Sequence, residues 1–115
     1  MNAKFRIWDE KYNCWSKESI LVYPNELILK QGRTIQWSSG IKDKNDKEIF
    51  EGDIIEQNFG ERPSRGYVKF SRGAFRVIWP AEPYDDLGCM LTEYITVIGN
   101  VFDNPEIKVD YEPGA

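Results

Sequence analysis

The sequence predicts a mainly β domain, a small barrel or sandwich of short strands. Three observations carry this. Aromatic residues make up 14% of the 115-residue chain, with four Trp, six Tyr and six Phe, and such rings pack well on pleated sheets. Alanine, the best helix former, occurs only at positions 3, 74, 81 and 115. Turn residues interrupt the apolar runs so often that no long helical stretch remains.

The elements read in order as follows. Lys4–Trp8 alternates, with Phe5 and Ile7 on one face and Arg6 and Trp8 on the other. Cys14–Trp15 begins a return strand after a polar turn. Ser19–Tyr23 and Glu26–Lys30 are β-type runs, and Gln31–Arg33 turns the chain into Thr34–Trp37 as a hairpin. Ser38–Gly40 punctuates the chain, and Ile41–Glu48 is a charged turn. Gly52 and Asp53 form a tight turn feeding a buried strand at Ile54 and Ile55. Residues 56–66 are polar and read as a loop. Tyr67–Phe70, a three-residue turn at Ser71–Gly73, and Ala74–Trp79 form the clearest hairpin. Pro80–Gly88 is an acidic loop, and Leu91–Tyr94 a short helical turn. Ile95–Ile98 and Val101–Phe102 read as strand broken at Gly99–Asn100, and Asn104–Pro105 as a helix start. Residues 1–110 make one domain, and residues 111–115 a frayed tail.

Composition excludes several chemistries. Histidine is absent, which removes Ser-His-Asp and Cys-His catalysis and the commonest transition-metal ligand. Two cysteines, Cys14 and Cys89, make no disulfide framework, and the N-terminal residues form no apolar signal region. We expect a cytoplasmic protein without cofactor, catalytic residues, metal or membrane contact. A net charge of −4 opposes general nucleic-acid binding. Asp43 and Asn45 begin like a calcium loop, but Lys47 and Glu48 follow where such a loop needs a ligand and its turn glycine.

Two surfaces stand out. Arg62, Arg65, Lys69, Arg72 and Arg76 form a basic cluster interleaved with Tyr67, Phe70, Phe75 and Trp79, the combination that single-stranded nucleic acid requires. Alternation puts Tyr67 and Lys69 on an outer face and Phe70 in the core. Glu82, Asp85 and Asp86 lie near enough in sequence to neutralise the cluster. Trp8, Trp15 and Trp37 are the second feature, read as partly buried core, with an exposed interface cluster as the alternative.

Three blocks then define a resemblance. They are Phe5-Arg6-Ile7-Trp8-Asp9, the run Gly40–Ile55 containing Gly40, Asp43, Gly52 and Asp53, and Val97–Glu106 containing Gly99, Asn100 and Pro105. In order and spacing the chain resembles the YopX family of phage and prophage proteins. That family usually has Asn-Gly where this chain has Asn45-Asp46. The resemblance implies an SH3-like barrel with additional N-terminal hairpins and short helical turns, and a bacterial host cell. It implies no activity. The expected role is a noncatalytic binding or assembly module that self-associates or binds a host or phage protein. The alternative is a nucleic-acid-binding accessory protein using the basic hairpin 62–79.

Overall fold

A computed structural model describes residues 5–16, 33–58, 63–80, 84–107 and 109. The strands read at Ser19–Tyr23 and Glu26–Lys30, together with Arg62, Glu82 and the C-terminal tail, lie outside these residues.

The fold is mainly β, built from two sheets. The first has the order β2-β1-β3-β4, formed by β1 (Phe5–Asp9), β2 (Cys14–Trp15), β3 (Arg33–Lys42) and β4 (Glu48–Phe50). The second has the order β8-β7-β6-β5-β9 and curls into a half barrel. Its strands are β5 (Asp53–Gln57), β6 (Ser64–Ser71), β7 (Ala74–Ile78), β8 (Asp85–Asp86) and β9 (Ile95–Asn100). All described pairings are antiparallel. Single turns of 3₁₀ helix occupy Leu87–Cys89 and Thr92–Tyr94.

The core lies inside the half barrel. Ile55, Val68, Val77, Ile95 and Val97 come from its strands, Trp79 and Leu87 from beyond β7, and Ile49 from β4. Each aliphatic side chain so buried contributes about 1.5–3 kcal/mol relative to exposure. Trp79 satisfies its polar edge by donating its indole N–H to Asp85 Oδ2 (2.7 Å), which accounts for one residue of the acidic loop.

The β3–β4 hairpin closes the barrel through Asp43. One carboxylate oxygen accepts the N–H groups of Asn45 (2.8 Å) and Lys47 (2.9 Å) within the turn. The other accepts Val97 N–H from β9 (2.9 Å), and Lys44 N–H donates to Ile95 O (3.0 Å). The turn therefore occupies the outer edge of β9, and the carboxylate that resembled a calcium ligand is used up on backbone.

Several boundaries differ from the sequence expectation, each for a local reason. Ser38–Gly40 does not end a strand. β3 runs through it with a bulge, where the register with β4 shifts and Gly40 takes a φ of 77°. The charged turn shrinks to residues 43–47, because Lys42 and Glu48 pair across the hairpin. The 56–66 loop loses both ends to the β5–β6 ladder, which reaches Gln57 opposite Ser64. The β6–β7 turn has two central residues rather than three. Arg72 and Gly73 have φ of 52° and 81°, and Ser71 faces Ala74, the geometry that matches strand twist. Asp85–Asp86 pairs with β7 inside the expected acidic loop. Gly99 and Asn100 continue β9 opposite Ile54 and Asp53, while Val101 and Phe102 leave it as a turn. Asn104–Ile107 closes as a turn, with Ile107 N–H on Asn104 O (3.0 Å) and Pro105 at its second position, so no helix starts there. Phe70 is 47% exposed. It points to the core side as alternation requires, but β6 outruns β5 at that point, and the ring packs on Phe75 with centroids 5.0 Å apart.

Two predictions follow from the closing turn. Burial by itself pushes the Asp43 carboxyl up, but the Val97, Lys47 and Asn45 N–H groups and the Lys47 charge outweigh it. They hold the group below its ordinary value of 3.8. A depressed folded value means the stabilisation is complete above the unfolded value and is lost as pH falls through the lower folded one. Asp43→Asn should destabilise the protein by about 1–3 kcal/mol at pH 7. It should also flatten the fall in stability below pH ~4, both read by urea denaturation. Asp46 holds the left-handed position of the turn, with φ of 64°, a backbone region that favours glycine. Its exposed ion pair with Lys42 (3.6 Å) is worth little. Asp46→Gly should therefore stabilise by about 0.5 kcal/mol, seen as a higher melting temperature.

Candidate functional site: the junction cleft

A polar network joins the two sheets, built from one side chain on each of four strands. Arg6 of β1 ion-pairs with Asp53 of β5 through Nη2 and Oδ1 and donates from Nε to Gln36 Oε1 of β3 (3.1 Å). Asn100 of β9 donates from Nδ2 to Gln36 Oε1 (2.9 Å) and Asp53 Oδ1 (3.0 Å). The second Asp53 oxygen accepts Phe50 N–H (2.8 Å). Gln36, Asp53 and Asn100 are buried. The Arg6 guanidinium lies between two rings, 4.1 Å from that of Trp15 and 4.3 Å from that of Phe50, which adds cation–π attraction to the ion pair.

Neighbouring backbone is fixed by the same groups. Asn100 Oδ1 accepts Phe102 N–H (3.0 Å). Gly52 N–H donates to Val68 O (2.7 Å) and Gly52 O accepts Val101 N–H (2.9 Å). Gly52 has φ of 87°, and a Cβ there would collide with the Gln36 amide. Glycine is thus required twice at this position, for the backbone angle and for the close approach.

Above the network lies a cleft of about 290 Å³, at the small end of ligand-site volumes. Thr34, Ile35 and Gln36 of β3 form one wall, and Tyr67 and Lys69 of β6 the other. Gly52 and Glu51 lie between the walls, with Val101 and Phe102 at the side. Phe102 stacks on buried Trp8, with centroids 6.2 Å apart and planes at 19°. Glu51 is engaged, since its Oε2 accepts Phe70 N–H (3.3 Å). Lys69 is exposed and forms no ion pair with any described residue.

The expected basic face forms in part. Strand register puts Arg65, Tyr67 and Lys69 on one face of β6, with Arg76 directly opposite Lys69. Two of the three cations on that face are matched by carboxylates. Arg65 pairs with Glu56 (3.1 Å), while Arg76 lies 3.2 Å from Asp86 and 4.3 Å from the Tyr84 ring. Arg72 projects at the turn tip and has no ion pair with a described residue.

Of the signature residues, Arg6, Gly52, Asp53 and Asn100 converge on the network, and Trp8 supports Phe102. Asp43 closes the barrel some strands away. Phe5 lies on the opposite sheet face against Trp37 (5.3 Å), so Trp8 and Trp15 meet (4.9 Å) but Trp37 stands apart from them. Gly99 packs under Ile107 and Asn104, and Gly40 and Pro105 are exposed outside the cleft. Gln36, Thr34 and Phe102 were not singled out from sequence. Gln36 offered one signal, a polar side chain between Ile35 and Trp37 in a β run. Among the described residues no group of three or more Cys, Asp or Glu could hold a metal ion, and no helix is long and apolar enough to cross a membrane.

Breaking the network should be far costlier than breaking the surface pair. Arg6→Met leaves the Asp53 charge buried without its partner and should destabilise by about 3 kcal/mol or more. Arg65→Met should cost under about 1 kcal/mol. Equal urea midpoints for the two variants would contradict the assignment.

Comparison with solved structures shows the same fold. Protein EF1440 from Enterococcus faecalis is 21% identical, with a TM-score of 0.68 over 92% of this chain and 97% of that one. Protein yopX from Bacillus subtilis is 22% identical, with a TM-score of 0.62 over 90% and 96%. No curated protein matches the chain. The YopX protein family model matches residues 4–107, a span that contains every member of the network, and the chain belongs to the YopX family.

Proposed function

We propose that this chain is a noncatalytic binding module that recognises a segment of another protein at the junction cleft. One observation carries the reading. The cleft has walls fixed by a fully hydrogen-bonded network, and it presents Lys69, a cation unpaired among the described residues, beside the Tyr67 and Phe102 rings. A preformed, partly apolar site with few polar groups is what recognition uses. The lack of histidine and the engagement of Asp43, Asp53 and Asp85 by structural partners support a role without catalysis. The Enterococcus faecalis and Bacillus subtilis structures come from bacteria, and a bacterial cytoplasm with a phage or prophage origin completes the proposal.

Self-association is less well supported. Edge strands β2, β4 and β8 have two or three residues, and the Asp43 turn covers β9. These edges offer a second copy little to pair with.

Selection of random displayed peptides on the purified protein tests the reading. Enriched peptides should lose at least about tenfold in affinity, some 1.4 kcal/mol, on Lys69→Glu. Failure to enrich any peptide over that variant would sink it. Nucleic-acid binding is the second reading, favoured by the shared face of Arg65, Tyr67, Lys69 and Arg76. We expect labelled single-stranded DNA and RNA to show no anisotropy change at low salt. Salt-sensitive binding lost in the Lys69→Glu/Arg72→Glu double variant would favour that second reading instead.

A further inference from the structure

Among the described residues, one strand edge beside the cleft has no partner. Ser16 N–H donates to Ile7 O (2.8 Å), so Ile7 directs its backbone groups toward β2. In an antiparallel ladder the neighbours Arg6 and Trp8 then face β3, pairing with Gln36 and Thr34. Ile35 and Trp37 must therefore direct their N–H and C=O groups away from β1. Trp37 bears this out, since its carbonyl accepts Glu51 N–H (2.8 Å) on the far side. β4 ends at Phe50, opposite Ser38, and the chain then crosses at Gly52, whose N–H donates to Val68 O of β6, into β5. Among the described residues nothing hydrogen-bonds that edge of Ile35, which lies two positions before Trp37 and lines the cleft. Unpaired strand groups beside a side-chain pocket are the elements of strand addition.

We propose that the cleft receives an extended peptide segment of a partner protein, added antiparallel to β3 with two backbone hydrogen bonds at Ile35. An acidic side chain of that segment meets Lys69, and an apolar one packs against Val101 and Phe102. This deepens the reading under Proposed function and rests on it. Charge decides the chemistry of the occupant. Lys69 is exposed on the wall, and Arg72 at the adjoining turn is also without an ion pair among the described residues. Glu51, the carboxylate among the described lining residues, keeps its charge while accepting Phe70 N–H, but Lys69 and Arg72 outnumber it. An acidic segment therefore gains attraction that a basic one lacks.

Amide hydrogen exchange by NMR on the intact chain tests this without disturbing the fold. In the free protein Ile35 N–H should exchange at least about a hundredfold faster than the Thr34 and Gln36 amides, which are held by β1. A synthetic heptapeptide, Thr-Val-Glu-Val-Glu-Val-Thr, should slow Ile35 exchange at about millimolar concentration, a weak affinity suited to two hydrogen bonds and one charge. The counterpart with lysine for glutamate should not. Lys69→Glu should reverse the preference between the two peptides. If Ile35 is protected as strongly as Gln36 in the free protein, the edge is already paired within the chain, and the proposal fails. It also fails if Ile35 protection rises with protein concentration alone, which would make a second copy the occupant. If displayed peptides bind in a Lys69-dependent way but leave Ile35 exchange unchanged, strand addition is wrong while the binding-module reading stands. If nothing binds, both fall.

Discussion

The ion pair between Arg6 and Asp53 is the constraint on which the rest depends. It ties the first strand of one sheet to the first strand of the half barrel. A buried carboxylate with no counter-charge would cost several kcal/mol, so the two sheets have few alternative ways to meet. Gln36 and Asn100 take up the remaining donors and acceptors. Hydrophobic burial is non-directional and would tolerate sliding of one sheet over the other. The hydrogen bonds do not. Such a network is weak evidence for high stability. Its effect here is to fix orientation, with the Trp15 and Phe50 rings holding the guanidinium from both sides.

This arrangement brings three separate sequence blocks together at one place. Each block supplies a member of the network and also the backbone that lets the member reach it. Arg6 comes with Trp8, which backs Phe102. Asp53 comes with Gly52, where a side chain would strike Gln36. Asn100 comes with the turn to Asn104, whose Oδ1 accepts Asn100 N–H (3.1 Å). Asp43 belongs to the same logic at the other end of the barrel. A single carboxylate there both shapes the β3–β4 turn and holds it on β9. Fold closure thus rests on two aspartates, each bonded across strands far apart in sequence.

Strand existence and alternation were legible in the residues because period-two patterning reflects local geometry. Where a pattern met its limits, the cause was tertiary. Phe70 obeys alternation and yet is exposed, because the length of β5 relative to β6 is not written in β6. Gln36 reads as a solvent-facing residue in an alternating strand. Its burial depends on Asn100, 64 positions away. The basic cluster was visible as residues, and its shared face followed from register. The partners that neutralise it, Glu56 and Asp86, are brought in by β5 and β8, of which β8 lay in a stretch read as loop.

The same pairing decides what the surface can attract. With Arg65 and Arg76 each beside a carboxylate, the field of the hairpin face is reduced to local dipoles that fall off within about a Debye length, roughly 8 Å at physiological salt. Lys69 and Arg72 are the cations left without a described counter-ion, and they are three residues apart on one hairpin end. Two point charges cannot track a phosphate backbone over several nucleotides, which needs a longer groove of cations and stacking rings. They can orient a short acidic segment, provided the apolar part of the site is already in place. The buried network supplies that condition, because Asn100 fixes Phe102 and Gly52 fixes the opening between β3 and β6. Rigidity at the junction and the shape of the cleft are therefore consequences of one set of hydrogen bonds.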